Sequence, residues 1–136
     1  MFKNKCFQIN ADLNDKTRVA LRTFDLDFVK KYIEEFKPDV NDVLTEAAYI
    51  GFNDAVKLFM PDYRVEPSKS HNEALINAAG FGHLEIVQLI LSYPHVVLSM
   101  EKIDEAIELA RTFENSEIVK VLCSHYYDFV DVLDDF

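Results

Sequence analysis

The sequence predicts an all-α fold, a helical-repeat solenoid of about four helix–turn–helix units with a cap at each end. Three observations carry this reading. First, Glu73–Leu91 (EALINAAGFGHLEIVQLIL) reads as two short helices around a Gly80-Phe81-Gly82 break, because glycine takes the left-handed backbone that ends a helix at little steric cost. Second, both helices are too apolar to stand alone: Ala74, Leu75, Ala78 and Ala79 share a face, and Leu84, Ile86, Val87, Leu89, Ile90 and Leu91 exceed what one neighbour can cover. Third, the unit recurs. Thirty-two residues on lies Glu105–Cys123, thirty-one back lies Asp42–Met60, and a weaker copy, Asp15–Ile33, lies a further twenty-seven back.

The copies agree residue by residue. Glu73-Ala74-Leu75 becomes Glu105-Ala106-Ile107, Ala78 becomes Ala110, and Glu85-Ile86-Val87 becomes Glu117-Ile118-Val119. Ala47-Ala48, Gly51 and Val56 fall on Ala78-Ala79, Gly82 and Val87, while Ala20, Leu26, Asp27 and Val29 match Ala78, Leu84, Glu85 and Val87. Gly82-His83-Leu84-Glu85-Ile86-Val87, with Ala78-Ala79 before it, resembles the ankyrin repeat, whose usual core reads TPLHLAAxxGHLEIVxxLL. The resemblance implies helix pairs in ankyrin order and a protein-recognition role. No copy keeps the Thr and His that brace the family's helix start, and spacings of 27 to 32 residues against about 33 for the family imply β-hairpin fingers that are reduced or missing.

Taken in order, residues 1–14 alternate loosely, with Phe2, Cys6, Phe7 and Ile9 apolar, and are expected to cap the N-terminal end of the stack. The four units are expected at 15–41, 42–72, 73–104 and 105–124. In the first, one helix is predicted over Asp15–Arg22, capped by Asn14-Asp15, and another over Leu26–Phe36. Pro38 then enforces an extended exit, and Asn41-Asp42 is expected to cap the next helix. Between Met60 and Asn72, Pro61 and Pro67 are read as helix stops, framing a projecting finger that carries Tyr63, Arg64 and Val65. A second finger, Ser92–Met100, holds Tyr93, His95 and the Val96-Val97 pair, one of which is expected to tuck under the next helix. Residues 125–136 place Phe129, Val132, Leu133 and Phe136 opposite Asp128, Asp131, Asp134 and Asp135, the pattern of a C-terminal capping helix.

Composition narrows the function. The chain has 136 residues, 49% of them apolar, enough for one domain. Its net charge of −10 argues against nucleic acid or anionic membrane as partner, since both need a basic stripe. Two distant cysteines frame no disulfide scaffold, and Met1–Lys16 lacks the apolar core of a secretory signal, so a cytoplasmic location, or delivery into a host cell by another route, is expected.

No catalytic signature is found. Gly80-Phe81-Gly82 follows a helix and lacks the third glycine of a dinucleotide loop. His71, His83 and His95 are spaced by twelve but fall at a helix start, a turn and a loop, which does not gather metal ligands. Asp27, Glu85 and Glu117 share a position near a helix N-terminus, where the dipole favours negative charge. Neither enzyme activity nor a cofactor is expected.

The favoured function is binding of another protein, as a monomer, through the concave face and finger loops. Positions after the small-residue pair should face the groove: Arg22-Thr23, Tyr49-Ile50, Gly80-Phe81 and Thr112-Phe113. Ile50, Phe81 and Phe113 are equivalent, and two readings stand: an exposed apolar ridge beside Tyr49, or rings folded between units as core. Tyr63, Arg64, Tyr93 and His95 supply finger contacts. The alternatives are a polar pocket between fingers built from Tyr63, Arg64, His71 and His95, and self-association through the ridge.

Overall fold

A helix begins where something satisfies its free N–H groups, and in this chain the capping residues set most of the boundaries. The computed structural model describes residues 15–126, so both expected caps lie outside the described residues, apart from His125 and Tyr126. The described residues form eight α-helices and no strand. They are α1 (Asp15–Arg22), α2 (Leu26–Phe36), α3 (Val40–Ile50), α4 (Asn53–Phe59), α5 (Pro67–Gly80), α6 (Leu84–Ser92), α7 (Met100–Thr112) and α8 (Ser116–Tyr126).

The first pair has the boundaries that its sequence predicts. Asp25 caps α2 by accepting from the Phe28 N–H at 3.2 Å. Three boundaries differ. Asp39, not Asn41-Asp42, caps α3, accepting from the Asn41 N–H. Pro67 opens α5 instead of blocking it, because a first-turn residue has no intrahelical use for an N–H and proline already holds a helical φ. His125 and Tyr126 continue α8 and do not start a separate helix.

Each odd-numbered helix packs against the even one that follows. The first helices α1, α3, α5 and α7 lie side by side, and α4, α6 and α8 form a second layer behind them. Small residues permit the close approach of the first layer: Ala47, Ala78 and Ala110 occupy equivalent positions and are fully buried. Leu44, Leu75, Ile86, Ile90, Ile103, Ile118 and Leu122 fill the space between layers, each contributing about 1.5–3 kcal/mol of burial.

The turns show the repeat in the backbone itself. Within each unit the turn has a left-handed residue, Phe24, Gly51, Gly82 or Glu114, and the next residue lies immediately before the second helix. In the last three units that residue reaches back to the turn of the unit before. The Phe52 ring packs on Phe24 at 5.0 Å. His83 covers Gly51, and its Nε2–H donates to the Tyr49 carbonyl at 2.9 Å. Asn115 lies against Gly82 and donates to the Ala79 carbonyl at 3.1 Å.

At the opposite end, the missing Thr-His brace is replaced by amides and a histidine. Asn41 Oδ1 accepts from the Glu66 N–H at 2.7 Å and from Ser70 Oγ at 2.6 Å. Its equivalent, Asn72, accepts from the Ser99 N–H at 3.1 Å, and His71 Nδ1 accepts from the Val97 N–H at 3.1 Å. These clamps hold the connections over residues 60–66 and 93–99 without a β-hairpin. Val65, expected on a projecting finger, is instead buried in the core, and Val96 is the tucked member of its pair while Val97 is exposed.

Candidate interaction surface

A first helix that buries one face between its neighbours leaves one stripe outward, and the repeat puts equivalent residues of that stripe in register. By register the stripe runs on α3 through Asp42, Thr45, Glu46 and Tyr49, on α5 through Glu73, Ile76, Asn77 and Gly80, and on α7 through Glu105, Glu108, Leu109 and Thr112, with Glu46 and Gly80 buried in it. Ile50, Phe81 and Phe113 follow at the turn end.

Phe81 and Phe113 are 56% and 60% exposed, which settles them as surface. Tyr49 is exposed too, and its ring meets Phe81 edge-on at 4.5 Å, so the two repeat units present one joined aromatic surface. Gly80, where α3 has Tyr49, is buried against the Leu109 side chain of α7. Ile50 differs from its equivalents: it is half-buried and packs against the core. Arg22 stands on the same edge but is engaged, with Nη2 3.4 Å from Glu46 Oε2. Glu46 is the buried acid of the face. Desolvation raises its pKa, and Arg22 and Arg18 oppose that shift.

The finger residues do not converge. Tyr63 is 92% exposed. Arg64 binds Asp62 through two nitrogens at 2.9 and 2.8 Å, which holds the Asp62 carboxyl below the usual carboxylate range. His71, by contrast, is 1% exposed, with the Tyr93 ring edge-on at 5.7 Å and His95 beyond it at 5.8 Å from Tyr93. Because Nδ1 accepts from Val97, the ring is the neutral Nε2–H tautomer. Burial pushes its pKa down, the Met60 carbonyl opposing weakly, and Nε2 makes no hydrogen bond of ordinary geometry. The polar pocket built from Tyr63, Arg64, His71 and His95 therefore does not form: His71 is core, Arg64 is paired with Asp62, and Tyr63 and His95 are exposed.

An open groove of about 760 Å³ lies elsewhere, along α8, between Val119, Val121 and Cys123 and the polar rim of Arg111 and Lys120. Among the described residues no group of His, Cys, Asp or Glu could hold a metal ion, and no helix is long and apolar enough to cross a membrane.

The family model of ankyrin repeats matches residues 44–133 in three copies. The chain belongs to the ankyrin-repeat family. No curated protein and no solved structure matches it. Ankyrin repeats generally mediate protein–protein interactions and are typically noncatalytic. The matched range begins inside α3, so the α1–α2 pair lies outside it, although that pair stacks on the ankyrin array through α1 and shares its turn geometry.

Two surface features escaped the reading of the sequence. Val19 and Phe24 extend the exposed apolar edge onto the first unit. Asp42, half-buried, and Glu73 and Glu105, both exposed, fall in register as an acidic row at the other end of the stripe. The 31- and 32-residue steps that align Ile50, Phe81 and Phe113 also align these acids.

Proposed function

We propose that the chain is a noncatalytic protein-binding module, an adaptor, inhibitor or effector, that works as a monomer in the cytoplasm or a host cell. Its contact surface is the outward face of the first helices, with Tyr49, Phe81 and Phe113 as apolar anchors and Ile50 beneath them. Arg22 and the finger residues Tyr63, Arg64, Tyr93 and His95 flank that surface. The observation that carries this reading is the Tyr49–Phe81 pair, two rings in contact with each other and open to solvent. Aromatic rings held in place at the centre of a face lose little freedom on docking, and such residues dominate binding energy at protein interfaces. The finger pocket offers no comparable site, because His71 is enclosed and Arg64 is held by Asp62.

The test compares capture of lysate proteins by the intact chain and by a Tyr49→Ala/Phe81→Ala/Phe113→Ala variant of matched melting temperature. A specific partner retained by the first and lost by the second is expected. Equal capture by both would remove the face from the function.

A further inference from the structure

We infer that the partner segment is basic and apolar, its Lys or Arg side chains meeting the Asp42, Glu73 and Glu105 row while its apolar side chains cover the aromatic ridge. This deepens the proposed function and rests on it. The two rows belong to the same stripe. Glu73 and Phe81 stand eight positions apart on and just beyond α5, a separation of about 12 Å at helical rise. Glu108 adds a further carboxylate between the rows on α7.

The charge is concentrated on the stripe, not on the layer. Over α3, α5 and α7 every charged side chain of the stripe is acidic, namely Asp42, Glu46, Glu73, Glu105 and Glu108, of which Glu46 is buried beside Arg22. The first unit breaks the pattern with Arg18 and Arg22 on α1, and with α1 and α2 counted the two layers carry the same net charge. Of the row itself, Glu105 has Lys102 at 3.4 Å, an exposed pair that salt and competition break readily. Glu73 and Glu108 have no basic side chain within ion-pair distance among the described residues. An acidic or neutral segment that covered the ridge would bring like charge to this row or leave Glu73 and Glu108 dehydrated without a counter-charge. A basic-apolar segment satisfies both rows at once. A second copy of this chain would set one acidic row near another.

The probe is a random-peptide display library selected on the intact chain, with binders remeasured on Phe81→Ala and on Glu73→Lys/Glu105→Lys after thermal melts verify folding. Selected peptides should interleave Lys or Arg with Leu, Phe or Tyr. They should weaken roughly tenfold on either variant and lose affinity between about 50 and about 500 mM salt. Binders that need Phe81 but are neutral or acidic, or ignore the charge reversal, overturn this inference and leave the proposed function standing. Binders indifferent to Phe81→Ala, or a selection that yields none, overturn both. Dimers that Phe81→Ala dissociates would identify a second copy as the occupant, and tight binding of a peptide of residues 127–136 would identify the chain's own acidic end. Either result overturns the inference.

Discussion

The imidazole of His83 lies over Gly51 of the preceding repeat, with Cε1 2.7 Å from where a Cβ on that glycine would stand and Nε2 2.9 Å from the Tyr49 carbonyl. The glycine is required twice over, by φ of +86° and by the ring above it. This contact joins the turn of one repeat to the start of the next second helix.

Gly51→Ala is therefore expected to destabilise the chain by about 2–3 kcal/mol, combining left-handed strain with the clash. Urea denaturation measures it. His83→Ala in the same chain should recover the clash but not the strain. Gly80→Ala is the control: its Cβ would meet Leu109 at an ordinary 3.7 Å, so stability should hold or rise by up to about 1 kcal/mol. An equal loss at both glycines would refute the interlock.

Asn41→Ala should cost about 1–3 kcal/mol, since it strands the Glu66 N–H and the Ser70 hydroxyl together. The connection over residues 60–66 should become the first site of limited proteolysis. Asn72→Ala should do the same for the connection that ends at Ser99. Unchanged cleavage patterns would mean that backbone packing, not the amides, holds these loops.

Acidification should pull the fold in two directions. The folded pKa of His71 is lowered, so its contribution is present above about 6.5 and is lost as pH falls through the folded value. Protonating Nδ1 would also break the bond from the Val97 N–H. Glu46 has a raised pKa, so its protonated form favours the fold: its contribution is present below about 4.5 and declines as pH rises through the folded value. In stability–pH curves, His71→Asn should flatten the loss below neutrality, and Glu46→Gln should steepen it. A wild-type profile that both variants reproduce would rule out these groups as the source.

Phe81→Ala should leave stability within about 1 kcal/mol, because more than half of the ring already faces water. Leu75→Ala, at a fully buried site, should cost about 2–5 kcal/mol. Similar losses in the two variants would mean that Phe81 is structural and that any binding defect reflects unfolding.

The helix pairs were legible because burial imposes a period. The steps that superpose Ala47, Ala78 and Ala110 also superpose the left-handed turn residues, one of them phenylalanine and another glutamate. Helix starts were less legible, since Pro67 carries the same residue-level signal whether it ends one helix or opens the next. The exposure of Phe81 and Phe113 could not be read from their type: a ring after a small-residue pair suits core and ridge equally, and three-dimensional stacking decides. The brace at the helix starts was also hidden. Asn41, His71 and Asn72 do the work of the usual Thr and His with different side chains, and their acceptors meet N–H groups about twenty-five residues later in the chain.

The back-reaching turns give the chain a direction of assembly. The Tyr49 carbonyl receives its donor only when His83 has been synthesised, and the Ala79 carbonyl waits for Asn115. A nascent chain emerging from the ribosome thus completes each repeat one step behind the growing end, and translation that stops early leaves the last turn made without its lock.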